Sequence, residues 1–175
     1  ELAAVALMAS PVLAQSTTRV SVDAAGVQGD RASYDPSLSS DGRYVAFWSE
    51  ATSLVPGDTN AWSDVFVHDR QTGLTTRVSV DSAGAQGNSA SCAASISSDG
   101  RYVAFHSIAS NLVAGDTNGA YDVFVHDRLT SLTSRASLDS AGVQGDGHSH
   151  SPSLSADGRH VAFASLAANL VPGDS

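Results

Sequence analysis

The sequence predicts an all-β protein of β-propeller architecture, and three observations carry that prediction. A pattern of 58 residues recurs without insertion, each repeat holds four strand-like runs, and no sustained 3.6-residue apolar period appears after Gln15. Arg19-Val20-Ser21-Val22-Asp23 returns as Arg77-Val78-Ser79-Val80-Asp81, and again as Arg135-Ala136-Ser137-Leu138-Asp139. Asp41-Gly42-Arg43-Tyr44-Val45-Ala46-Phe47 returns at residues 99–105 and, with His160 in place of the tyrosine, at 157–163. Asp64-Val65-Phe66-Val67-His68-Asp69-Arg70 returns unchanged at 122–128. Residues 19–76 and 77–134 share 39 of 58 positions, which duplication under one structural constraint explains.

The first strand of a unit runs through Pro36-Ser37-Leu38-Ser39 and ends at Asp41-Gly42, a hairpin signal because both residues tolerate the positive φ of a type I′ turn. Residues 43–49 form the second strand. Tyr44, Val45, Ala46, Phe47 and Trp48 make it apolar on both faces, as expected where neighbouring sheets cover both sides. Residues 64–69 form the third, with Val65-Phe66-Val67 at its centre, and Thr72-Gly73 turns into the fourth. Residues 74–80 alternate apolar and polar, the pattern of a half-exposed edge strand. Four strands with apolar inner members and an amphipathic outer one describe a propeller blade. A β-helix would use shorter rungs, and a sandwich would not repeat so faithfully.

These residues carry a resemblance. Pro36-Ser37-Leu38-Ser39-Ser40-Asp41-Gly42-Arg43-Tyr44-Val45-Ala46-Phe47, followed by Asp64-Val65-Phe66-Val67 and Thr72-Gly73, resembles the TolB-type, WD-like propeller repeat across residues 17–175. Unit two departs from it with Ala94 where Pro36 and Pro152 stand. The resemblance implies a propeller fold and is weak on function, since the family spans periplasmic scaffold proteins, propeller caps of serine peptidases and many secreted proteins.

Residues 15–175 are expected to hold blades at about 33–80 and 91–138, with an incomplete one at 149–175. Residues 17–22 are expected to serve as an outer strand that closes the ring, in a protein more than twice this length. Residues 2–14 (LAAVALMASPVLA) are apolar, uncharged and too short to span a bilayer, and they end in Val12-Leu13-Ala14. Residues 1–14 therefore read as a truncated secretory signal peptide, which places the chain outside the cytoplasm with no membrane insertion after cleavage. Nine arginines, no lysine and eighteen acids give a net charge of -9, which disfavours nucleic acid and anionic membranes. Cys92 stands alone, so it can form no intramolecular disulfide, and it fits a small residue packed in a strand.

The best site candidate is the loop between second and third strands. Asp58, Asn60 and Asp64, and again Asp116, Asn118 and Asp122, set oxygen ligands at positions one, three and seven of a turn, which could wrap calcium. The late bidentate Glu of an EF-hand is missing, and an Asx-rich turn that caps its own backbone is the competing explanation. His148 and His150, with His160 a hairpin away, form a blade-specific cluster without a nearby acid, a weak metal signal. His68 and His126 follow from the repeat. Neither a nucleophile elbow nor a phosphate loop occurs, so no enzymatic role is expected. The expected function is a secreted, non-catalytic binding or scaffold propeller for a protein or glycan partner. A propeller domain of a larger secreted enzyme such as a serine peptidase and a calcium-stabilised surface module are the alternatives.

Overall fold

A computed structural model describes residues 17–173, and the expected leader at 1–14 lies outside the described residues. Ten strands and no helix are found there. The first sheet, blade 1, holds β1 (Ser33–Leu38), β2 (Tyr44–Ser49), β3 (Asp64–Asp69) and β4 (Leu74–Arg77). Blade 2 holds β5 (Ser91–Ile96), β6 (Tyr102–Ser107), β7 (Asp122–Asp127) and β8 (Leu132–Arg135), and a third sheet pairs β9 (Ser149–Leu154) with β10 (Val161–Ser165). Every pairing is antiparallel, and each four-stranded sheet is a meander in chain order. The all-β propeller expectation holds.

Pleating gives each blade two unlike faces. Phe47 and Phe66 look one way with Leu54, whereas Ala46, Val65 and Val67 look the other way, toward blade 2. There they meet Val103, Phe105 and Phe124, the counterparts of Val45, Phe47 and Phe66. Large side chains of one blade thus fill the shallow face of the one before, and burying each of these phenylalanines contributes about 1.5–3 kcal/mol. Two elements differ from expectation. Only Gly42 has positive φ in the β1–β2 turn (71°), and its N–H donates to Ser39 O at 2.9 Å. This makes a type I-class turn closed by glycine rather than type I′. Asp41 selects it, because its Oδ1 accepts from Ser39 Oγ (2.6 Å) and from the Arg43 N–H (2.9 Å). The fourth strand stops at Arg77, since Val80 turns away to bridge Gln86. Its buried side is polar. Thr75 is covered and Leu74 exposed, because the Thr75 hydroxyl donates to Val22 O (2.5 Å) and contacts His68 Nδ1 (3.0 Å). Among the described residues, 17–20 form no strand and Val22 bridges Gln28.

Two ends of a blade matter below. The hairpin end carries the β1–β2 and β3–β4 turns. The loop end carries the β2–β3 loop, residues 50–63, and the start of β1, because Ser33 pairs with Ser49 and Ser49 with Asp64.

Candidate functional site

At the hairpin end of blades 1 and 2 the charged side chains have internal partners. Arg43 forms a two-pronged bond to Asp69 (2.9 and 2.7 Å), and Arg101 repeats it on Asp127 at the same distances. The paired guanidinium holds each carboxyl well below the usual carboxylate range. Arg43 and Arg101 also stack on Tyr44 and Tyr102 at 4.7 Å, and Arg128 of blade 2 covers Tyr44 at 4.4 Å. The seam is further stitched by Ser40 N–H to Ser98 O (3.0 Å) and Ser98 N–H to Ala156 O (2.9 Å), the same bond one repeat apart.

Beneath the loop end, the proposed calcium ligands do come together, but around a guanidinium. Arg77 lies 3.3 Å from Asp58 and 3.4 Å from Asp64, and Arg135 lies 3.2 Å from Asp116 and 3.6 Å from Asp122. All six side chains are at most 8% exposed. The Nε and Nη2 atoms of both arginines make no aligned hydrogen bond, so the attraction is chiefly Coulombic. Burial nevertheless raises the pKa of Asp64 and of Asp116, opposed by the arginine charges. Ser79 and Ser137 donate to the Oδ1 atoms of Asp64 and Asp122. Asn60 and Asn118 bring N–H rather than oxygen to this region: their amides donate to Gly87 O (2.7 Å) and Gly145 O (2.8 Å), Asn118 Nδ2 also donates to Asp122 Oδ2 (3.0 Å), and both amide oxygens accept from their own loop backbone at Trp62 and Ala120. The seat between the carboxylates is filled by the chain's own cation, and the residues as arranged do not fit calcium. Among the described residues no group of three or more His, Cys, Asp or Glu is placed to hold a metal ion.

The rim above these triads differs from blade to blade. In blade 1, β1 carries a bulge with Asp35 at φ 47°, a left-handed conformation repeated by Ala93 (54°) and Ser151 (53°). The missing proline of unit two therefore leaves the bulge intact. Exposed Tyr34 stacks on half-buried Trp48 with ring centroids 4.3 Å apart, and Trp48 Nε1 donates to Asp35 Oδ2 at 2.9 Å. Cys92 of blade 2 faces this notch, its Sγ 3.3 Å from Ser63 Oγ, and burial pushes its thiol up, away from reactivity. At the next seam the same register holds His106 edge-on to Tyr121 (5.3 Å), with the Tyr121 N–H donating to His148 Nδ1 (2.9 Å). Burial, then the charge of neighbouring His150, pushes the His106 imidazole down to about 4. His160 stands apart from this group, because the register pairs His150 with Ala164 and leaves His160 at the hairpin end. Sequence reasoning passed over Tyr34, Asp35, Trp48 and His106. Their signal was available at an offset of 58, where tyrosine becomes cysteine and then histidine.

No protein-family model matches the chain, and no curated protein does either. Among solved structures, the putative TolB from Agrobacterium tumefaciens superposes with a TM-score of 0.50 at 19% identity, over 75% of this chain and 37% of its own. The fold is a TolB-like β-propeller. TolB from Acinetobacter baumannii aligns at TM-score 0.40 and 16% identity, over 76% of this TolB-like chain and 37% of its own. The tricorn protease aligns at 0.48 and 16% identity, over 76% and 11%. The chain thus spans about a third of the TolB structures it matches.

Proposed function

We propose that this TolB-like propeller is a non-catalytic module acting outside the cytoplasm, and that it recognises a protein partner through the loop end of its blades. The distribution of differences between its repeats carries the reading. Of the 19 positions that differ between residues 19–76 and 77–134, thirteen lie in residues 30–36 and 48–63, at the loop end or in the β1 bulge that joins it. Residues 39–47 and 64–70, which build the hairpin end and the core strands, differ at none. Change is thus concentrated at one rim, where the blade's own packing tolerates it, and the chemistry of the side chains placed there gives that rim its meaning. Large, exposed and chemically distinct side chains at that rim, such as Tyr34 and Trp62, fit a surface that recognises rather than one that supports.

The test is site-specific photo-crosslinking in the producing cell. A photoreactive residue at position 62, on the loop end, should give a discrete protein adduct, and one at position 71, on the hairpin end, should give none. Adducts at 71 alone, or at neither position, overturn the reading, and an adduct at 62 that glycosidases but not proteases remove replaces the protein partner by a glycan.

A further inference from the structure

The molecule shows on itself what a tyrosine beside an aspartate takes. At the hairpin end, Tyr44 with Asp69 and Tyr102 with Asp127 are each occupied by a guanidinium that stacks on the ring and pairs with the carboxylate. At the loop end of blade 1 the same elements recur without the cation. Tyr34 is 42% exposed and backed by Trp48, and Asp35 stands beside it on a bulge whose left-handed φ is set by backbone rather than by contact. Trp48 Nε1 uses one carboxylate oxygen of Asp35 and leaves the other open. Among the described residues no arginine stacks on Tyr34 or Trp48, and none pairs with Asp35 or Glu50. A chain of net charge -9 attracts basic segments at long range, and the aromatic face adds cation–π attraction at contact. A guanidinium suits the notch better than an ammonium, because it can lie flat on Tyr34 and still direct N–H groups at Asp35.

We propose that the notch of Tyr34, Asp35 and Trp48 receives an arginine side chain of the protein partner. The assignment rests on the loop end being the recognition face. It is private to blade 1, since Cys92, Ala93 and His106 stand at the same places in blade 2.

The full chain is titrated with a capped Gly-Arg-Gly peptide while the indole N–H signal of Trp48 is followed by NMR and assigned with Trp48→Phe. Saturable movement of that signal is expected. The lysine peptide should bind several-fold more weakly, and the citrulline peptide, equal in shape but uncharged, should leave the signal still. Asp35→Asn keeps a residue that tolerates left-handed φ and should weaken binding about tenfold. Tyr34→Leu should weaken it about threefold, and Gln71→Ala should leave it unchanged. Equal response to arginine and citrulline peptides, no response to either, or movement with a neutral disaccharide instead would overturn the assignment. Crosslinks at position 62 without arginine binding would sink this inference and leave the recognition face standing. Arginine binding without loop-end crosslinks would do the reverse.

Discussion

At the hairpin end of blades 1 and 2, residues 39–47 and 97–105 are identical one for one, whereas at the loop end Tyr34, Trp48 and Trp62 become Cys92, His106 and Ala120. The difference follows from what each end must do. At the hairpin end a blade makes its neighbour's contacts. Tyr44 lies against Gly100 and under Arg128, and Tyr102 lies against Gly158, so a change in one unit must be accommodated in the next. At the loop end the stitch between blades is main chain to main chain, from Ser91 N–H to Ser63 O (2.8 Å) and from Ser149 N–H to Tyr121 O (2.7 Å). Backbone bonds place no demand on side-chain identity, which leaves the rim free to vary.

The largest effect should come from below the rim, where the variable loops rest on invariant charge. Arg77→Met leaves Asp58 and Asp64 buried together without their cation, and breaking such a pair costs about 3–5 kcal/mol. Chemical denaturation should show the loss, and a midpoint unchanged by the substitution would remove this footing from the comparison. Next, Gly100→Ala and Gly57→Ala probe the two ends with one methyl group each. Both glycines have positive φ, 73° and 76°, but a Cβ on Gly100 would overlap the Tyr44 ring while one on Gly57 meets open space. We expect about 2–4 kcal/mol for the first, from backbone strain plus overlap, and about 1 kcal/mol for the second, from strain alone. Equal losses would mean that the hairpin seam is no tighter than the rim.

A smaller effect should appear on acidification. His106 titrates at about 6.5 when unfolded, and in the fold burial brings it down to about 4. The fold therefore favours the neutral ring. Its contribution is fully present above pH 6.5 and is lost as pH falls toward 4, on the order of 2–3 kcal/mol in all. His106→Phe should flatten that stretch of the stability curve, and a curve that keeps its slope would assign it elsewhere. The smallest expected effect is of calcium. With Arg77 and Arg135 already between the carboxylates, thermal melts in EDTA and in millimolar calcium should superimpose. A rise in Tm of several degrees with calcium would show that the ion displaces the guanidinium.

The propeller was legible because its signals are local or periodic. The 58-residue offset, the unbroken Val65-Phe66-Val67 run and the Asp41-Gly42 turn each lie within a few residues of one another or repeat at a fixed distance. The site was hidden where partners are distant and chemically unlike. Asp58 and Asp64 read as ligands awaiting a cation, and the cation that stands beside them is Arg77, 19 and 13 residues onward on the next strand. The Tyr34–Trp48 stack needs the β1–β2 register, which the bulge at Asp35 shifts beyond what strict alternation predicts. The buried Thr75 was misleading for a similar reason, because its hydroxyl finds a carbonyl 53 residues away, ahead of the first strand of blade 1.

The Tyr44–Gly100 contact gives the array a direction. Each unit offers a ring on one side and a side-chain-free hollow on the other, so neighbours join head to tail and never face to face. Such heterologous contacts have only two outcomes, closure into a ring or indefinite growth into a filament, and the rotation per unit chooses between them. In unit three His160 stands where the tyrosine would be, so the ring offered to any following unit is smaller. Covalent linkage here orders what are in effect subunits of a polar polymer, and that ring contributes to each joint alongside the apolar seam and the main-chain stitches.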